Sequence, residues 1–162
     1  MGNPIFFCQE RTGRKNRSFI LYKFRTMVVN HNGDTITVKG EDRITPLGSK
    51  LRKYKLDELP ELWNILKGDM SFVGPRPDVP EYMNLLSGEE KLILELRPGL
   101  TSPASLKYAN EEELVAKAKD PVKFYNDVVW PDKVRLNLNY YYNRSFFGDI
   151  NIIFRTLFRT QT

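Results

Sequence analysis

Histidine and cysteine are nearly missing: His31 and Cys8 are the only ones in 162 residues. A lone cysteine excludes an internal disulfide and a cysteine-only zinc site, and it fits a reducing compartment. Cys8 reads as a small apolar residue of a strand. With one histidine, in the polar stretch Asn30-His31-Asn32-Gly33-Asp34, histidine metal clusters and paired histidine acid/base chemistry are excluded as well. Catalysis here falls to carboxylates, lysines and arginines. No uninterrupted apolar run approaches the roughly 20 residues that span a bilayer, and Met1-Gly2-Asn3-Pro4 does not read as a signal peptide. Low-complexity tracts, internal repeats and long linkers are also lacking, so one domain over 1–162 is expected.

What is present is a globular composition, 41% hydrophobic and 28% charged, which supports a real core. The formal charge of +5 points to an anionic partner: nucleic acid, phospholipid headgroups or a phosphorylated small molecule. Tyr140, Tyr141 and Tyr142 near Arg135 and Arg144 would suit base stacking. No motif of a nucleic-acid-binding fold accompanies them, so nucleic acid is not the expected partner.

Ile5–Gln9 and Phe19–Phe24 are rich in β-formers and flank a basic connection containing Gly13, which predicts a hairpin. Thr35–Lys39 alternates polar and β-branched residues and reads as a short third strand. From Pro46 the pattern turns helical, first to Tyr54, then from Asp57 to Gly68. In the second helix Leu59, Leu62, Trp63 and Leu66 share one face, which predicts its burial. Pro60 fits only a first turn, so the N-cap is expected at or beside Asp57. Ser87-Gly88-Glu89-Glu90 and Asn110-Glu111-Glu112-Glu113 resemble capping boxes before helices over 91–96 and 111–119. Another short helix is expected over 121–128. A longer one begins at Pro131, with Val134, Leu138 and Tyr141 on one face, and Ser145 caps a last helix. The fold class is therefore α/β: a small hairpin or sheet with several surrounding helices, some amphipathic.

Asp57 and Glu58 are the densest site candidate. Neighbouring helical side chains point about 100° apart, so the two carboxylates suit separate roles. One can attack phosphorus while the other helps hold a hard cation such as Mg²⁺. Two acids in a first helical turn are also simply favourable helix chemistry. Arg76 sits between Pro75 and Pro77 after Gly74, a rigid display suited to phosphate oxygens, or equally a tight turn with the arginine paired to an acid. Strand alternation would put Lys23 and Arg25 on one face, as a phosphate-facing edge or a solvated one.

Three segments together resemble the bacterial sugar transferase family, the monotopic polyprenyl-phosphate phosphoglycosyl transferases. They are Lys23-Phe24-Arg25-Thr26-Met27, the run from Leu56-Asp57-Glu58-Leu59-Pro60 through Gly74-Pro75-Arg76-Pro77, and Arg97-Pro98-Gly99-Leu100-Thr101. The resemblance covers nearly the whole chain. It implies that Asp57 attacks the sugar-linked phosphate of a nucleotide diphosphosugar, a UDP-sugar, and that polyprenyl (undecaprenyl) phosphate then collects the phosphosugar to begin a surface glycan such as capsule or O-antigen. It implies Glu58 as Mg²⁺ ligand, Arg76 as phosphate-binding residue, and Lys23 and Arg25 as further phosphate contacts. The place of work would be the cytoplasmic face of the bacterial inner membrane.

Two departures stand out. Members usually open with a basic, hydrophobic membrane segment, whereas Met1 stands almost at the first strand, so the chain is expected to be the catalytic portion, soluble if truncated as given. Members also commonly carry Gly where Ser102 stands. The last segment, from Ser145 on, combines Phe146, Phe147, Ile150, Ile152, Ile153, Phe154, Leu157 and Phe158 with flanking arginines, the pattern of an interfacial helix or of a terminal helix packed on the core. Asp149 within it is a candidate contact to the site. A noncatalytic, basic membrane-surface adaptor is the alternative function, and it would not need Asp57, Glu58 and Arg76 together.

Overall fold

A computed structural model describes residues 4–28 and 44–158. The expected strand over 35–39 and His31 lie outside the described residues. The hairpin forms as its β-formers dictate. Strands β1 (Phe6–Thr12) and β2 (Ser18–Phe24) pair antiparallel, with Lys23 opposite Phe7 and Ser18 opposite Thr12. Cys8 is in β1 but exposed, because this two-stranded sheet leaves one face to solvent.

Helix α1 (Pro46–Lys53) starts at the Thr45 cap, whose Oγ1 accepts from the Gly48 amide. It lies directly on the end of the hairpin. Thr45 N–H donates to the Thr26 carbonyl at 2.9 Å, and a Cβ on Gly48 would stand 2.1 Å from that same oxygen. Glycine is what lets α1 come this close.

The next segment differs from the expected single helix. A 3-10 turn, Leu56–Glu58, follows left-handed Lys55 (φ 56°), and the α-helix proper, α2 (Glu61–Lys67), starts behind Pro60. Pro60 is itself the N-cap, so Asp57 and Glu58 sit in the tighter turn ahead of the helix. The apolar face is also reversed. Leu59, Leu62, Trp63 and Leu66 are exposed, Leu66 by 79%, while Glu61 and Asn64 are buried. The reason is the edge of β2: the Asn64 amide donates to the Ile20 carbonyl at 2.7 Å, and its Oδ1 accepts from the Tyr22 amide at 3.2 Å. Edge N–H and C=O groups must find partners when covered, and α2 supplies them with a polar face.

Strands β3 (Ser71–Val73) and β4 (Gly99–Thr101), within the motif segments, form a parallel pair. Between them lie α3 (Pro80–Met83) and a 3-10 helix, Gly88–Glu95, with the expected Ser87/Glu90 capping box. After β4 come α4 (Pro103–Lys107), α5 (Glu111–Ala116), α6 (Pro121–Phe124), a π-helical turn Tyr125–Val129, α7 (Trp130–Asn143) and α8 (Phe146–Leu157). Asn110 makes no side-chain cap, contrary to its sequence pattern, whereas Ser145 caps α8 as expected.

The main core joins Met83, Leu86, Ile93, Val115, Tyr125, Val129, Trp130 and Val134. A smaller cluster of Val73, Tyr140 and Ile152 fastens α8 to the β3/β4 pair. Among the described residues, no helix is long and apolar enough to cross a membrane.

Candidate functional site

The site is assembled where β2, the 3-10 turn and the loop after β3 meet. Lys23 projects from β2 between two acids, its Nζ 3.0 Å from Glu58 Oε1 and 3.1 Å from Glu61 Oε1. From the opposite side Arg76 Nη2 donates to the same Glu58 oxygen. Glu58 is therefore gripped by two cations. Burial works against its charge, but Arg76 and Lys23 outweigh that and hold its carboxyl far below the usual glutamate range. Glu58 in turn raises the pKa of the Arg76 guanidinium against the opposing effect of burial.

Asp57 is in the opposite situation. It is only 7% exposed, and its Oδ1 is buried without a hydrogen-bond partner. Burial first, and the charge of Glu58 second, push its pKa up; Lys23, Lys55 and Arg52 pull it back only in part. A poorly solvated carboxylate oxygen with no donor engaged on it is a more available nucleophile than one bound by two cations. The two adjacent acids, side by side in a 3-10 turn, thus have opposite surroundings.

The sequence-predicted residues divide as follows. Asp57, Glu58, Lys23 and Arg76 come together. Arg76 realises the reading in which it pairs with an acid, which leaves its phosphate role open to exchange between Glu58 and substrate. Arg25 keeps to the strand register, its amide donating to the Ile5 carbonyl at 2.8 Å and its guanidinium lying over the ring of Phe7, the residue opposite Lys23, but it does not bond to the acids. Its Nε and Nη2 donate instead to the carbonyls of Pro4 and Phe6, at 2.9 and 3.2 Å. Asp149 accepts from the Tyr140 hydroxyl at 2.8 Å and serves the α7/α8 junction.

Three participants escaped the sequence reading. Glu61, 1% exposed, carries a carboxyl pushed up by burial despite Lys23. Asn64 fixes α2 to β2. Arg52, at the end of α1, acts on Asp57 electrostatically while bonded to Glu112. A signal for the first two was present: Asp57, Glu61 and Asn64 recur at i, i+4, i+7, a polar stripe at helical spacing.

Mg²⁺ is bound in many phosphoryl-transfer sites by one or two carboxylates, with substrate phosphates and water completing the shell. Among the described residues, no group of three or more His, Cys, Asp or Glu is placed to hold a metal ion. The unpartnered Asp57 oxygen next to Glu58 fits that sparse donor set and not an all-protein cage.

The chain is similar to known proteins over nearly its whole length. The sugar transferase EpsL of Bacillus subtilis, described as uncharacterized, is 36% identical over 157 residues, covering 97% of this chain and 70% of that protein. The UDP-N-acetylgalactosamine-undecaprenyl-phosphate N-acetylgalactosaminephosphotransferase of Aeromonas hydrophila is 32% identical across 95% of this chain and 34% of its own length. The undecaprenyl-phosphate galactose phosphotransferase of Salmonella typhimurium is 33% identical across 96% of this chain and 33% of its own. The chain thus spans about a third of the latter two. With the bacterial sugar transferase family's sequence model matching residues 1–162, the chain belongs to that family and is a phosphoglycosyl transferase domain.

Proposed function

We propose that this domain moves a sugar-1-phosphate from a UDP-sugar to undecaprenyl phosphate through a covalent intermediate on Asp57. The observation that carries the reading is the buried, unpartnered Oδ1 of Asp57 beside a Glu58 already neutralised by Lys23 and Arg76. In the first step an Asp57 oxygen attacks the sugar-linked phosphorus, and the bond from that phosphorus to the oxygen of UMP breaks. In the second, a phosphate oxygen of the lipid attacks the same phosphorus and returns the carboxylate to Asp57. Both steps pass through phosphoryl oxygens bearing extra charge, and electrostatic positioning carries most of the catalysis in such transfers.

Arg76 and Lys23 supply cations at that point, and Glu58 keeps them oriented. When bound, Mg²⁺, held by Glu58 with Asp57 at hand, would lower the charge on the diphosphate. Undecaprenyl phosphate is the acceptor named for the Aeromonas and Salmonella relatives and a UDP-sugar the donor named for the first, and the basic balance of this chain suits both. The exposed apolar faces of α2 and α8 suit work at a membrane surface, the cytoplasmic face where such donors are found.

The direct test is UMP release from a panel of UDP-sugars with Mg²⁺, detergent and undecaprenyl phosphate. Asp57→Asn is nearly isosteric and removes the nucleophile, so release should fall by at least about 10³-fold with the fold intact. Parent-like turnover in that variant would overturn the mechanism.

A further inference from the structure

The tip of the hairpin carries a basic cavity that lies apart from Asp57, Glu58, Lys23 and Arg76. Its volume is about 470 Å³, and its cations are Arg14, Lys15, Arg17 and Arg97. By strand register the tip lies five residues beyond Lys23 along β2, roughly 17 Å from the acid pair at strand rise. The turn that presents these side chains is well defined. The Gly13 amide donates to the Arg17 carbonyl at 2.8 Å, and Lys15 and Asn16 are both left-handed, at φ 56° and 59°. Arg14 Nε is tethered to the Glu95 carbonyl at 2.8 Å.

None of the four cations has an ion-pair partner among the described residues. The one acid in the cavity wall, Asp69, is already matched: Lys67 Nζ stands 3.0 Å from its Oδ2, and the Asn64 amide donates to the same atom at 3.3 Å. Four cations thus stand together here without an opposing carboxylate among the described residues.

The surroundings identify which anion fits. Gly68 and Asp69 of the cavity wall follow directly on α2, whose exposed Leu66 is within one turn and whose exposed Trp63 is about a turn and a half back, and exposed Phe72 comes next in β3. A soluble phosphate has no use for that apolar border. A phosphate carried on acyl chains meets cations and hydrocarbon contacts side by side.

We propose that the hairpin-tip cavity is a headgroup site for anionic phospholipid, binding the phosphodiester through Lys15, Arg17 and their neighbours while the acyl region lies against Trp63, Leu66 and Phe72. The proposal is independent of the transfer reaction, and its test does not measure catalysis.

The experiment is co-sedimentation of the full chain with vesicles of phosphatidylcholine, with and without phosphatidylglycerol. Lys15→Asn, which suits a left-handed residue, is combined with Arg17→Gln. Each basic side chain near an anionic surface contributes roughly fivefold in binding, so the double variant should lose roughly 25-fold on phosphatidylglycerol vesicles and little on pure phosphatidylcholine. A control, Lys119→Gln with Lys123→Gln, removes equal charge from a separate surface pocket and should lose far less; both variants are checked for parent-like melting. Undiminished binding by the hairpin variant, or equal losses in both, would overturn the proposal, the second because only net charge would then matter. Inorganic phosphate that protects the parent's melting temperature but not the hairpin variant's, while vesicle binding stays unchanged, would assign the cavity to a free anion and overturn the lipid assignment.

Discussion

Two tryptophans mark two halves of this molecule built on opposite rules. Trp130, 9% exposed, opens α7 in a dense apolar core with Met83, Leu86 and Val129, and there an apolar stripe means burial. Trp63, 58% exposed, lies on α2 in an equally regular stripe that faces outward, while Glu61 and Asn64 face inward. The difference teaches that hydrophobic periodicity identifies an element and its apolar side, but not what covers that side. Where a sheet edge and a set of buried carboxylates need polar partners, the polar side turns inward. Contiguous exposed apolar surface then marks an interaction face.

The sharpest way to break this comparison is to truncate both residues. Trp130→Ala should cost about 3–5 kcal/mol in urea unfolding, as expected for a large aromatic removed from a core. Trp63→Ala should stay within about 0.5 kcal/mol while weakening vesicle binding, and costs of equal size would erase the distinction. Asn64→Ala is expected to cost well more than Trp63→Ala. It leaves the Ile20 carbonyl and Tyr22 amide without their partner, at about 1–3 kcal/mol for each group that stays buried, and thermal melting measures the sum.

A smaller effect, of opposite sign, is expected at Asp57. Its carboxyl is raised by burial first and by Glu58 second, so the folded state holds that proton more tightly than the unfolded state does. The resulting stability is complete below the ordinary aspartate range and is lost as pH rises through the raised value. Asp57→Asn should therefore melt higher than the parent at neutral pH, with the gap closing in acid; a lower melting point at neutral pH would contradict the burial cost. Glu58 behaves in reverse. Its carboxyl is held low, so its ion pairs stabilise the fold above the ordinary glutamate range and give way only in strong acid.

Much of this was legible in the sequence. Gly13 within a basic connection between β-formers gave the hairpin its place, and Ser87, Ser145 and Pro46 marked the starts of real helical segments. Asp57, Glu58, Lys23 and Arg76 were identified by residue type and motif, and the fold gathers them. The parts that were not legible have physical causes. The 3-10 turn ahead of α2 arises because left-handed Lys55 and Pro60 shift the helix start to Glu61, a backbone decision that the apolar pattern does not record. The inward face of α2 depends on a β2 edge known only once the chain is folded. Arg25 stays outside the acid cluster because the carbonyls of Pro4 and Phe6 take its guanidinium, and Arg52 was missed because it acts on Asp57 through charge alone, which no motif records.

The central claim is that Asp57, and not its better-held neighbour, forms a covalent bond to the phosphosugar. Intact-protein mass measurement after incubation with a reactive UDP-sugar and Mg²⁺, without lipid acceptor, tests it most directly. The account predicts a mass increase of one sugar phosphate, mapped to Asp57, absent in Asp57→Asn and discharged by undecaprenyl phosphate. A chain that turns over the donor to lipid product yet never carries the adduct, or carries it on Glu58, would contradict it.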